Sequence, residues 1–163
     1  MQLLFVFCQW LENTSVGTSV RESVWEFPVI ETLHLFGIIV LVGSSSVLDL
    51  RLMGLAFKEA SVSKLAHRTL PWAWTGAGIE IVTGFLLFAS EATRMCHNHA
   101  FQLKMMLLLL SGMNVFVFHS VAYKSVGTWE CDVIPPTPAR IAGLFSLLLW
   151  FAIVSAGMWT PYF

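Results

Sequence analysis

Apolar residues gather along the chain in four long runs, each holding few charged side chains and bounded by turn-forming residues. The runs extend from about Phe27 to Leu50, Leu70 to Ala89, Phe101 to Tyr123 and Ile141 to Thr160. Each supplies the roughly 20 residues that a helix rising 1.5 Å per residue needs to cross a hydrocarbon core of about 30 Å. The fourth contains no charge at all. Pro28 and Pro71 fall where the first turns of the first two helices are expected, positions at which a missing N–H costs nothing. The Pro135-Pro136-Thr137-Pro138 run stiffens the connection before the fourth helix and cannot itself be helix interior. The pattern predicts an all-α, four-transmembrane-helix bundle that occupies residues 1–163 as a single membrane domain.

Ahead of the first span, Leu3, Leu4, Phe7, Trp10 and Leu11 repeat at the spacing of one helical face, until Glu12, Asn13, Thr14 and Gly17 break the pattern. Too short to span, residues 1–17 are expected to form an amphipathic helix lying in the membrane interface. No basic stretch precedes the apolar run and no small-residue cleavage site follows it, so a cleaved signal peptide is not expected.

Composition agrees with a bilayer as the main partner. Apolar residues make up 56% of the chain and charged residues 12%, about half the ~25% of a soluble domain. The net charge of -1 gives no basic excess that would argue for nucleic acid. Cys8, Cys96 and Cys131 lie far apart without a CxxC, so neither a disulfide framework nor a zinc knuckle is expected. Arg51, Lys58, Lys64, Arg68, Lys124 and Arg140 fall on one side of the predicted spans, against Arg21, Arg94 and Lys104 on the other. The bias places the first group in the cytoplasm and both termini on the periplasmic side of a bacterial inner membrane. Trp25, Trp72, Trp74, Trp129 and Trp159 fall near span ends, as an aromatic belt requires.

Polar groups at depth are costly and are candidates for function. Glu80 lies near the middle of the second span, with Gly76 and Gly84 on the same face. Those small residues let a neighbouring helix approach, so Glu80 is expected to point into the bundle. Hydrocarbon favours its neutral form, which suits either a proton relay or a protonated structural donor. Asn114 in the third span counts to a similar depth and is expected to hydrogen-bond it. In the first span Glu31, His34, Ser45 and Asp49 fall within about 60° on a helical wheel and predict a polar inward stripe. Gly37 beside His34 leaves room for a flat cofactor or for another helix. In the fourth span, Gly143 and Gly157 are expected to serve packing.

The five histidines sort by depth into an outer group (His34, His97, His99) and an inner group (His67, His119). That is the layout two bis-histidine b-type haems need, with His34 paired to His99 or His97 and His119 paired to His67. One haem cannot be shared by His34 and His119, which differ by about 16 Å along the axis. The outer loop offers a rival chemistry: Met95, Cys96, His97 and nearby His99 combine thioether, thiolate and imidazole, a set suited to copper(I).

The stretch Glu26-Phe27-Pro28-Val29-Ile30-Glu31-Thr32-Leu33-His34-Leu35-Phe36-Gly37, followed by Leu48-Asp49-Leu50-Arg51-Leu52-Met53-Gly54-Leu55, resembles a bacterial family of small four-helix membrane proteins of unknown function. Thr83 to Phe88, Ala100 to Lys104 and Asn114 to His119 echo the same family, which looks related to copper-resistance-D-like proteins and more distantly to small di-haem b-type cytochromes such as superoxide oxidase. The resemblance implies the four-helix fold, with His34, Asp49, Arg51, Lys104, Asn114 and His119 at matching positions, and raises haem b and copper as cofactors. Three roles follow as expectations. The first is a haem electron-transfer protein with a quinone or a periplasmic partner. The second is a cofactor-free accessory subunit bound to other subunits of a respiratory or photosynthetic complex. The third is a copper-handling protein. A soluble-substrate enzyme is the weakest reading, because the chain has no nucleophile–base pair, P-loop or dinucleotide fingerprint.

Overall fold

The computed structural model describes residues 2–162, so Met1 and Phe163, together with the side chains of Gln2 and Leu4, lie outside the described residues. The helices in chain order are α1 (Gln2–Glu12), α2 (Ser15–Glu22), α3 (Glu26–Leu52), α4 (Val62–Ser90), α5 (Ala92–His97), α6 (His99–Val121), α7 (Val126–Trp129) and α8 (Thr137–Trp159). Four of them, α3, α4, α6 and α8, are long and apolar enough to cross a membrane. The chain is a multi-pass helical membrane protein. One end of the bundle, the terminal end, carries α1, α2, α5 and the end of α8. The opposite loop end carries the α3–α4 connection and α7.

Two boundaries differ from the sequence expectation. Helix α4 begins at Val62 rather than Leu70, capped by the Ser61 hydroxyl accepting from the Lys64 N–H. Its first two turns hold Lys64, His67 and Arg68, whose polarity hides them from a hydropathy pattern although they are helical. Pro71 therefore lies inside the helix rather than at its start. The N-terminal segment is two helices, not one: α1 stops at Glu12, and Thr14 caps α2 by accepting from the Gly17 N–H. Gly17 does not break the pattern; it is buried where an added Cβ would lie 2.7 Å from the Ala89 carbonyl oxygen.

The terminal end is sewn together covalently. Cys8 of α1 and Cys96 of α5 form a disulfide, a bond that the wide spacing of the cysteines does not predict; Cys131 is free and exposed. Their separation of 88 residues carries no local motif that could reveal the pairing. Around it, Leu11, Ala89 and Ala92 are buried. Glu12 accepts from the Thr93 N–H at 2.8 Å and pairs with Arg21 at 3.1 Å. The Thr93 hydrogen bond, with Arg21 beside it, holds the Glu12 carboxyl below the usual range.

At the loop end α3 stops in a Schellman motif: Leu55 N–H bonds the Leu50 carbonyl, Gly54 N–H bonds the Arg51 carbonyl, and Gly54 takes a φ of +72°. Arg51 is fully buried and donates to the carbonyls of Ala60, Glu130 and Asp132 at 2.8, 3.1 and 3.0 Å. It thereby ties both loops of this end to the bundle.

Within the bundle α3 is central, packed on α4 at one side and α8 at the other, and α8 packs on α6. Helices α3 and α4 come to backbone contact at Gly76, where an added Cβ would lie 2.6 Å from the Leu41 backbone nitrogen. Gly78, two positions along, has nothing within 4 Å of its would-be Cβ. Alanine at the two positions should therefore act in opposite directions on thermal unfolding in detergent. Gly76→Ala should lose about 1–3 kcal/mol by overpacking against backbone. Gly78→Ala should be neutral or gain up to about 1 kcal/mol of helix propensity. Equal effects at both positions would contradict the packing described.

Candidate functional site

The site lies between α3, α4 and α6 in the half of the bundle nearer the terminal end. His34 is about 12 Å along α3 from its first residue, and Glu80 is about 15 Å along α4 from its last, at 1.5 Å rise per residue. The antiparallel packing of the two helices brings these depths into register. His34 Nε2 lies 3.2 Å from Glu80 Oε2, with side-chain exposures of only 14% and 17%. Glycines make the contact possible. A Cβ at Gly37 would lie 2.5 Å from Glu80 Oε1, and one at Gly84 would lie 3.3 Å from His34 Cε1. Gly37 thus admits a helix, α4, at the place where a cofactor was the other expectation.

The hydrogen bonds assign the protons. The Thr83 hydroxyl donates its single proton to the Ile79 carbonyl at 2.6 Å. It can then only accept from the His34 ring, whose Nδ1 lies 2.8 Å away. With Nδ1 protonated, the Nε2···Oε2 contact needs one more proton, which belongs either to the imidazole or to the carboxyl. The pair is therefore a shared-proton site with no net charge of its own. Glu80 Oε1 is buried against the α3 backbone at Gly37 and Ile38 and lacks a hydrogen bond of good geometry.

Lys104 adds the only cation at this depth among the described residues. It enters α6 about 8 Å from the helix start, and its ammonium lies 3.7 Å from the Cβ position of Gly157 on α8. Its charge interacts with both Glu80 and His34. Helices α4 and α6 have no close backbone seam comparable with the other pairs; they meet through side chains. Phe88 stacks on Phe101 with centroids 5.4 Å apart, nearer the terminal end.

Several sequence expectations fare differently. Glu80 does point into the bundle, but its partner is His34; Asn114 instead donates to the Ala142 carbonyl at 3.1 Å. Asp49 is buried on the inward face of α3 and Ser45 is partly buried, whereas Glu31 is exposed and lies outside the stripe. Gly143 serves packing as expected, with its Cβ position 2.8 Å from the Asp49 carbonyl oxygen. Thr83 escaped attention, although its place three residues after Glu80 puts it on the same helical face. Lys104, which the sequence singles out by its charge bias and by the family resemblance, carries a further signal in its position inside a span.

The five histidines of the expected haem pairs differ in their surroundings. Bis-histidine ligation needs a free ring nitrogen on each of two facing imidazoles, and both nitrogens of His34 are engaged. His67, His97, His99 and His119 are exposed. The Nδ1 of His97 bonds the Thr93 carbonyl at 3.0 Å and that of His119 bonds the Val115 carbonyl at 2.9 Å. His67 and His119 sit on α4 and α6, the two spans without a close seam. These positions do not fit a haem held through His34. In the Met95–Cys96–His97 cluster the Cys96 sulfur is bonded to Cys8, so no thiolate is on offer there, and the His97 ring packs on Phe5.

Fold and site together define a small four-span membrane protein with a buried acid–base group. Residues 7–163 match a family described only as of unknown function (DUF6644), and the chain belongs to that family. No curated protein and no solved structure matches it.

The Thr83 hydroxyl is the testable anchor of the assignment. Thr83→Val should leave the His34 Nδ1–H unsatisfied in hydrocarbon and cost about 1–3 kcal/mol in detergent unfolding. Thr83→Ser should retain most of the wild-type stability. A valine variant as stable as wild type would contradict the hydrogen bond.

Proposed function

We propose that this protein handles protons within the membrane, with the His34–Glu80 pair as its working group. The observation that carries the reading is the 3.2 Å contact between Nε2 and Oε2, together with the Thr83 bond that commits Nδ1. A group that shares one proton between two bases of different kind can release it or take one up with little rearrangement. Lys104 supplies a nearby positive charge that stabilises the anionic form left when the proton departs. The looser α4–α6 side is where a lipid-soluble proton donor or acceptor, a quinone among them, would approach.

Two independent features support an orientation with the termini outside the cytoplasm. Six of the nine basic residues belong to the loop side, the majority that the cytoplasmic face carries. The Cys8–Cys96 disulfide lies at the terminal end, and disulfides persist in oxidising compartments. The protein would then expose α1, α2 and α5 to the periplasm of a bacterial inner membrane.

A cofactor-free accessory role is a second reading, favoured by α1. Its exposed Leu3, Val6, Phe7 and Trp10 form one apolar stripe while the disulfide holds the opposite face to α5. That rigid stripe suits the membrane interface or a neighbouring subunit.

Infrared difference spectra of the protein in lipid, recorded between acid and alkaline pH, test the main reading. They should contain a carboxyl C=O band that shifts in deuterated water and is lost in Glu80→Gln. Spectra unchanged by that substitution would overturn the reading.

A further inference from the structure

Glu80 is not the only carboxyl inside the bundle. Asp49 is 6% exposed and lies on the same central helix as His34, about 22 Å further along at 1.5 Å per residue. One oxygen of each carboxyl, Glu80 Oε1 and Asp49 Oδ2, is buried without a hydrogen-bond partner. The surroundings of Asp49 are polar on two further helices. Ser146 of α8, itself buried, is the side chain beside its carboxyl. Asn114 of α6 is at the same level, because it bonds Ala142 while the adjoining Gly143 packs on the Asp49 backbone. No cation neutralises Asp49 among the described residues. Arg51, two positions along, is turned to the carbonyls of Ala60, Glu130 and Asp132.

Between the two carboxyls the bundle interior is not uniformly apolar. Ser111 of α6 is buried, about 10 Å beyond Lys104 along the helix. Ser45 of α3 is partly buried on the His34–Asp49 face, about 6 Å short of Asp49. Both hydroxyls therefore lie on the Asp49 side of the interior, with about 16 Å along α3 between His34 and Ser45.

We propose that the His34–Glu80 pair and Asp49 are the two stations of one proton route that crosses the bilayer along the inward face of α3, by way of Ser111 and Ser45. The route rests on the proton-handling reading above and extends it from a site to a path. In this route a proton leaves the His34–Glu80 pair, crosses by waters that the proposal places between the pair and the Ser111 and Ser45 hydroxyls, and protonates the Asp49 carboxylate. Asp49 then releases a proton at the loop end, and the pair regains one from the terminal end. Each group returns to its starting state, one positive charge has crossed, and no oxidant or reductant takes part. The direction follows the imposed gradient. Glu80 is faced by His34, with the charge of Lys104 acting on it, and Asp49 by Ser146.

The full chain, reconstituted in liposomes that enclose a fluorescent pH indicator, tests this directly. With a potassium gradient and valinomycin imposing a potential, the interior pH should change faster than in protein-free liposomes. Glu80→Gln and Asp49→Asn should each slow that change about tenfold, while Glu31→Gln, an exposed carboxyl on the same helix, should not. Variants are compared only after gel filtration and circular dichroism show a native fold. If Asp49→Asn fails that check, Ser111→Ala takes its place and should also slow the flux. Flux no faster than in protein-free liposomes overturns the route, as does a folded Asp49→Asn or Ser111→Ala protein with wild-type flux. The infrared band of Glu80, recorded on the same liposomes, separates the two levels: a titrating band without flux rejects the path alone, and a missing band rejects the site beneath it.

Discussion

Hydrocarbon offers no hydrogen bonds, so an imidazole and a carboxyl placed inside it must find their partners within the protein. His34 and Glu80 do so by sharing a proton, and much of the bundle is arranged around that requirement. Gly37 and Gly84 keep the α3–α4 interface thin at the two places where the side chains lie. Gly76 brings the same two helices to backbone contact further along. Thr83 spends its own proton on the Ile79 carbonyl and so fixes which ring nitrogen of His34 faces Glu80. Lys104 adds charge without closing an ion pair, because no carboxylate oxygen lies within 4 Å of it among the described residues.

The two ends of the bundle hold this interior in place by different means. At the terminal end the restraint is covalent and local, a disulfide flanked by the Glu12 contacts to Thr93 and Arg21. At the loop end it is a single buried guanidinium bound to carbonyls of two loops. A guanidinium presents several donors in a rigid fork, which suits it to gathering carbonyl oxygens from separate segments. Since α3 runs between these ends, both restraints act on the helix that carries His34 and Asp49.

The sequence announced the membrane architecture because apolar length is a property of each segment alone. The four spans, the inward turn of Glu80 and the inward face of His34 and Asp49 were all legible in this way. What escaped depends on how segments meet. The pairing of His34 with Glu80 rather than Glu80 with Asn114 is set by the rotation of α3 against α4, which no single helix encodes. The Cys8–Cys96 bond joins residues 88 positions apart through a fold that only exists once α1 has docked on α5. Pro71 looked like a helix start because the turns before it are charged, and hydropathy cannot see a polar helix. Depth counting sorts the histidines by membrane face, but it cannot say that both ring nitrogens of His34 have partners.

The measurement that bears most directly on this account is solid-state nitrogen NMR of the histidine-labelled protein in lipid bilayers. The account predicts that His34 carries a proton on Nδ1, and that its Nε2 signal, not its Nδ1 signal, moves when Glu80 is replaced by glutamine. A His34 ring with an unprotonated Nδ1, or one indifferent to Glu80, would contradict it.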